Sequence, residues 1–167
     1  MGRIRTSPRV AFCAVVLVAL LGPLAFSGTA GAGSSARTDR FVERLLGTNE
    51  VPPADLDGRG IARVEIDAEA GEACFKVTFD RTGTPNRGHI HTGAAGVNGG
   101  IVVSLFELVG MPTDPLNDEL ERGRGTGCVT ADPAVLADIV ANPELYYVNL
   151  HNARFPGGAV RCQLLED

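Results

Sequence analysis

The chain contains three histidines, all in two short segments, Gly88-His89-Ile90-His91 and Asn149-Leu150-His151-Asn152. Alternate side chains of a β-strand share a face, so His89 and His91 project together while Ile90 turns the other way. By the same rule His151 shares a face with Tyr147 and Asn149, opposite Val148 and Leu150. Neutral imidazole ligates Zn(II) and Cu(II) well, and three nitrogens with a fourth position open to water make a mononuclear zinc or type 2 copper set. His89, His91 and His151 are therefore a candidate metal site for copper or zinc, on the expectation that two strands bring the rings together on outward faces. The competing expectation is structural: the histidines hydrogen-bond across loops with Asn149, Asn152 or the Glu50 carboxylate. Glu50, directly before Val51-Pro52-Pro53, is read as a partner for loop amides, and, were the site that of a metalloenzyme, as the nearby proton carrier.

Other chemistry is thin. Ser104 lies in a strand pattern, and no Gly-x-Ser-x-Gly elbow occurs. Asp114, Asp118, Glu119 and Glu121 lack the spacing of a calcium loop. No catalytic residue is assigned.

The elements that must position these groups are strands. Short alternating runs recur between turn signals from Phe41 onward, the spacing of an all-β fold. Strands are expected near Phe41 to Leu46, Gly60 to Asp67, Glu72 to Asp80, Gly88 to His91, Ile101 to Glu107, Thr126 to Thr130, Tyr146 to His151 and Gly158 to Leu165. The expected fold is a Greek-key-like antiparallel β-sandwich of about eight strands with one short helix. That helix begins at Asp132-Pro133, buries Leu136, Ile139 and Val140, and ends at Asn142-Pro143. Met111 to Gly125, polar and rich in turn formers, reads as a long surface loop.

The first nine residues carry Arg3, Arg5 and Arg9, an apolar run follows from Val10 to Leu21, and Ala30-Gly31-Ala32 offers small residues for cleavage. This is the pattern of a secretory signal peptide over residues 1–32, followed by a flexible leader, 33–40, and one domain, 41–166. Loss of the three arginines takes the formal charge from −5 to −8. An acidic domain without evident Lys and Arg clusters argues against nucleic acid or an anionic membrane as partner. No later stretch is apolar enough for membrane insertion, and a secreted, extracellular location is expected.

Three cysteines follow the apolar run, which allows three pairings. In Ala73-Cys74-Phe75-Lys76-Val77, alternation puts Cys74 on the polar face, and in Gly127-Cys128-Val129 it puts Cys128 outward too. Cys162, between Val160 and Leu164 in the alternation, turns inward. Bridges join residues on the same side of neighbouring strands most easily. The expectation is a Cys74–Cys128 disulfide and a buried Cys162 thiol.

Several ordered motifs resemble one family. Leu46-Gly47-Thr48-Asn49-Glu50-Val51-Pro52-Pro53 is similar to the opening signature of the CHRD domain, named for its occurrence in chordin. Gly88-His89-Ile90-His91 with the following Gly-rich run through Val103 resembles its His-x-His segment. Tyr146 to Asn152 and Phe155-Pro156-Gly157-Gly158 through Leu164 resemble its closing hairpin. In that hairpin Cys162 stands where the family more often has Gly. The resemblance, over about residues 40–165, implies an extracellular bacterial β-sandwich domain acting as a binding module for an extracellular protein or glycan. Two other readings stay open: a small extracytoplasmic redox or hydrolytic metalloenzyme, and a metal-free adhesion module. Copper-zinc superoxide dismutase is also a β-sandwich with a His-x-His strand, but it needs more histidines than three.

Overall fold

The computed structural model describes residues 38–111 and 113–165. The expected signal peptide lies outside the described residues. Among the described residues the eight strands are β1 Asp39–Leu46, β2 Arg59–Asp67, β3 Glu72–Asp80, β4 Arg87–Thr92, β5 Ile101–Glu107, β6 Arg124–Thr130, β7 Tyr146–His151 and β8 Val160–Gln163. β1 starts at Asp39, so the last two residues of the expected leader are already strand. The α-helices α1 Pro115–Glu121 and α2 Pro133–Ala141 follow β5 and β6.

The all-β, antiparallel expectation holds, with all strands in one sheet of order β5-β4-β7-β8-β1-β2-β3-β6. The sheet rolls until its edges β5 and β6 touch, and Phe75 of β3 packs against Phe106 of β5 with ring centroids 5.6 Å apart. Among the described residues no ladder joins β5 to β6. The result is nearly a barrel.

Alternation decides what fills it. Ala62, Val64 and Ile66 of β2 and Ala73, Phe75 and Val77 of β3 are buried, while Arg63, Glu65, Lys76 and Thr78 between them are exposed. Gly88 and Ile90 face Phe106 and the core from β4. Val148 and Leu150 do so from β7, and Val160, Cys162 and Leu164 from the closing segment. α2 closes over the core with Leu136 and Ile139, both 0% exposed, each burial contributing about 2 kcal/mol. Its start is the one read from sequence: the Asp132 carboxylate accepts from Ala134 N at 2.8 Å, with Pro133 in the first turn.

α1 lies where a surface loop was expected. The same Asp-Pro start signal stands there, with Asp114 accepting from Leu116 N at 2.9 Å. Leu116 and Leu120, one turn apart, bring an apolar face onto the inner side of β6, and Leu120 is buried. Two apolar residues are a weak periodic signal, but the cap and the fit to Gly125 make up the difference.

Cys74 and Cys128 lie directly opposite in the β3–β6 register and are disulfide-bonded on the outer side of the sheet. Cys162 is a free, buried thiol, and complete burial pushes its pKa upward, as expected of an inert core cysteine.

Candidate metal centre

β4 and β7 are neighbours in the middle of the sheet, with His89 opposite Asn149, His91 opposite Tyr147 and Arg87 opposite His151. β8 follows on the far side of β7, placing Arg161 opposite Asn149 and Gln163 opposite Tyr147. The alternation that sends Ile90, Val148 and Cys162 to the core therefore gathers His89, His91, Tyr147, Asn149, His151 and Arg161 on the other face. One ring nitrogen from each histidine lies within 4.8 Å of the others.

The face away from the core is not outward in the sense of wet, and here the sequence expectation needs correction. His89, His91 and His151 are 1%, 8% and 5% exposed. Chain segments fold back over them, and backbone carbonyls of those segments accept hydrogen bonds from the imidazole N–H groups. His91 Nδ1 is 3.0 Å from Gly99 O, and His151 Nδ1 is 3.0 Å from Pro156 O. His89 Nε2 is 2.9 Å from Glu107 Oε1, a carboxylate at the end of β5. Gly99 belongs in this cover because a Cβ there would collide with the backbone carbonyl of Thr92.

These partners assign the protons. A carbonyl or carboxylate oxygen only accepts, so His91 Nδ1, His151 Nδ1 and His89 Nε2 must each carry hydrogen. In neutral imidazoles the lone pairs then sit on His91 Nε2, His151 Nε2 and His89 Nδ1. His91 Nε2 is buried without a partner. His89 Nδ1 and His151 Nε2 face each other at 3.0 Å, two lone pairs with no hydrogen between them. Such a gap calls for a cation, either an added proton or a metal ion. Burial is the largest influence on all three rings and disfavours the proton: it pulls every one of the three pKa values below the ordinary value, His151 to about 4. Neighbouring imidazoles push in the same direction for His91 and His151, against the upward pull of the Gly99 and Pro156 carbonyls. A metal-binding histidine characteristically donates its other N–H to a carboxylate or backbone carbonyl, and all three rings are held that way.

Beside the rings is a second polar group. His91 stacks on Tyr147 with centroids 4.9 Å apart and planes 8° from parallel, and the Arg161 guanidinium covers the Tyr147 ring at 3.3 Å. Arg161, 1% exposed, donates to Ala94 O at 2.9 Å and Asn98 Oδ1 at 3.3 Å, tying down the glycine-rich loop. The Asn149 side chain lies near both His91 and the Glu50 carboxylate, favouring the proton on the first and the charge on the second. Glu50, 6% exposed, packs so closely on Gly158 (φ +135°) that a Cβ there would stand 2.5 Å from its Oε1. Desolvation pushes the Glu50 pKa up to about 7, against the attraction of Arg161 and the Asn149 hydrogen bond. Glu50 Oε1 and Asn149 Oδ1 are buried without hydrogen-bond partners. A cavity of about 330 Å³, lined by Glu50, Arg161 and Gln163 among others, opens next to this group.

A family model, described as the CHRD domain, matches residues 41–164. The chain belongs to the CHRD domain family. No curated protein and no solved structure matches it. CHRD domains occur in extracellular proteins, the disulfide fits an oxidising compartment, and no helix among the described residues is long and apolar enough to cross a membrane.

Within this CHRD domain the structure brings His89, His91, His151, Asn149 and Glu50 together, and puts Asn152 just outside. Asn152 Oδ1 accepts from Arg154 N and Phe155 N, and its amide reaches Thr82 and Gly83. Asn152 thus shapes the loop that presents the Pro156 carbonyl to His151. Glu50, expected to satisfy loop amides, lies beside the Arg161 and Asn149 side chains. Arg161, Tyr147 and Glu107 were missed. The alternation that turns Cys162 inward already turns Arg161 toward the histidines, so that signal was present. Glu107 reaches His89 only through the irregular β4–β5 register, with shifts at Gly88/His89 and Ile90/His91, which sequence does not reveal.

Proposed function

We propose that this chain is a secreted, extracellular CHRD interaction module in which His89, His91 and His151 hold one copper or zinc ion. The observation that carries the reading is the proton assignment: three N–H groups are committed to oxygen acceptors, and three buried lone pairs are left around one point. Tetrahedral zinc with nitrogen bonds of about 2.0–2.1 Å sets its ligands roughly 3.3 Å apart, so the His89–His151 pair at 3.0 Å has to open slightly around an ion, and the third nitrogen lies within 4.8 Å. The bound ion would supply a Lewis-acidic centre with a fourth position. The chain's own residues orient the imidazoles through Glu107, Gly99 and Pro156, exclude water with the covering loops, and offer the Glu50 and Asn149 oxygens as acceptors nearby. Ligands this enclosed favour holding an ion and bracing the loops over turnover of a bulky substrate, which supports the module reading above the metalloenzyme one.

Replacing His89 and His91 together by Ala tests it. The expected result is loss of stoichiometric Cu(II) or Zn(II) uptake with retained far-ultraviolet dichroism; undiminished uptake would refute the assignment. A second reading has its own support, since the same hydrogen bonds tie the histidines to two loops. In that case a proton lies between His89 and His151, and adding metal leaves the melting temperature unchanged.

A further inference from the structure

The chain is acidic overall, with net charge −5, yet the strand order concentrates its cations. β1, β2, β3 and β6 are consecutive in the sheet, and their non-core side chains form one outer face. One row across the four strands runs Arg44, Ile61, Thr78, Arg124. The next row centres on Arg63 directly opposite Lys76. All four cations are exposed, and none makes an ion pair among the described residues. The nearest acids of this face are already engaged: Glu65 by Arg40 at 3.4 Å and Asp80 by Arg59 at 2.6 Å. Glu119 of α1 stands at the margin, in a groove beside Lys76 and Arg124.

Like charges placed directly opposite on neighbouring strands oppose folding. A row of three strand spacings separates Arg44 from Arg124 by about 14 Å, so a four-charge field spans the width of these strands with no acid within its two rows. Open grooves of about 420 Å³ and 340 Å³ run between the side chains. The two rows present no aromatic ring on which a base would stack. Their apolar members, Val42 and Ile61, are shorter than the arginines around them, which suits a surface contact better than insertion into lipid. Arginine forks pair with carboxylates and sulfates, and the Thr78 and Thr126 hydroxyls between the cations can bond sugar hydroxyls.

We infer that this outer face binds a linear acidic polysaccharide laid across β1, β2, β3 and β6. The site lies on other strands of the sheet than those that carry the histidines, and it does not depend on metal. The test is calorimetric titration of the full chain with oligogalacturonate and with dextran sulfate, using neutral dextran, poly-L-glutamate and phosphatidylserine-containing vesicles as comparisons. The expected result is saturable binding of the acidic glycans that weakens steeply with salt, and at least a tenfold loss in Arg63→Glu/Lys76→Glu. The single variant Arg63→Glu places an acid opposite Lys76, so it is expected to lose glycan affinity while keeping or raising the melting temperature. Absence of glycan binding, undiminished affinity in the variants, or equally tight binding of polyglutamate or vesicles would overturn the inference.

Discussion

Glu50→Gln isolates the electrostatics beside the histidines. The Glu50 carboxyl titrates near 7 in the folded domain against 4.5 for the ordinary side chain, because burial outweighs Arg161 and Asn149. A group whose folded pKa is raised binds its proton more tightly in the fold, so its stability contribution is complete below pH 4.5 and is lost as pH rises to about 7. At about 1.4 kcal/mol per pH unit, the loss is on the order of 3 kcal/mol. The three histidines act in the opposite sense: their lowered pKa values add stability above the ordinary imidazole pKa of 6.5, lost as pH falls below it. Wild type therefore carries both effects, and the difference between variant and wild type carries that of Glu50. Glutamine mimics the protonated carboxyl, so Glu50→Gln is expected to match wild type at pH 4.5 and to be about 3 kcal/mol more stable at pH 8. Urea unfolding of both chelated proteins across that range measures it. A difference that stays flat between pH 4.5 and 8 would refute the account of Glu50 as a costly buried carboxylate.

Other perturbations address the frame of the site. Gly158→Ala demands a side chain at φ +135° against the Glu50 carboxylate and should cost about 2 kcal/mol or more in the same unfolding assay; a change within experimental scatter would show that the loop yields freely. Removing the Cys74–Cys128 bridge, which joins residues 54 apart, should lower stability by about 4 kcal/mol on chain-entropy grounds, and unchanged urea midpoints for Cys74→Ala/Cys128→Ala would contradict that. Glu107→Gln keeps the side-chain shape but weakens the acceptor on His89 Nε2, and chelator competition should show metal affinity reduced about 10–100-fold; equal affinity would mean that His89 is oriented without it.

Much of the frame was legible because alternation is a local property. The patterns of β2 and β3 announce one face in the core and one in water, and the same reasoning places Cys74 and Cys128 on one side and Cys162 on the other. It also puts His89 with His91, and His151 with Asn149. What alternation leaves open is the fate of the second face. β4 and β7 are buried on both sides, because the segments carrying Glu50, Gly99 and Pro156 return over them. Those returns are long-range events governed by loop geometry. The cationic face was hidden for a related reason. Arg44, Arg63, Lys76 and Arg124 are scattered in sequence, and only the adjacency of β1, β2, β3 and β6 brings them together, so net charge alone does not show them.

The central claim is that three buried imidazole lone pairs await one ion. X-ray absorption on the chelated protein reloaded with one equivalent of Zn(II) or Cu(II) addresses it directly. The account predicts one tightly held ion per chain with three imidazole nitrogens at about 2.0–2.1 Å and a raised melting temperature. An ion bound through oxygens alone, or no retained ion, would contradict it.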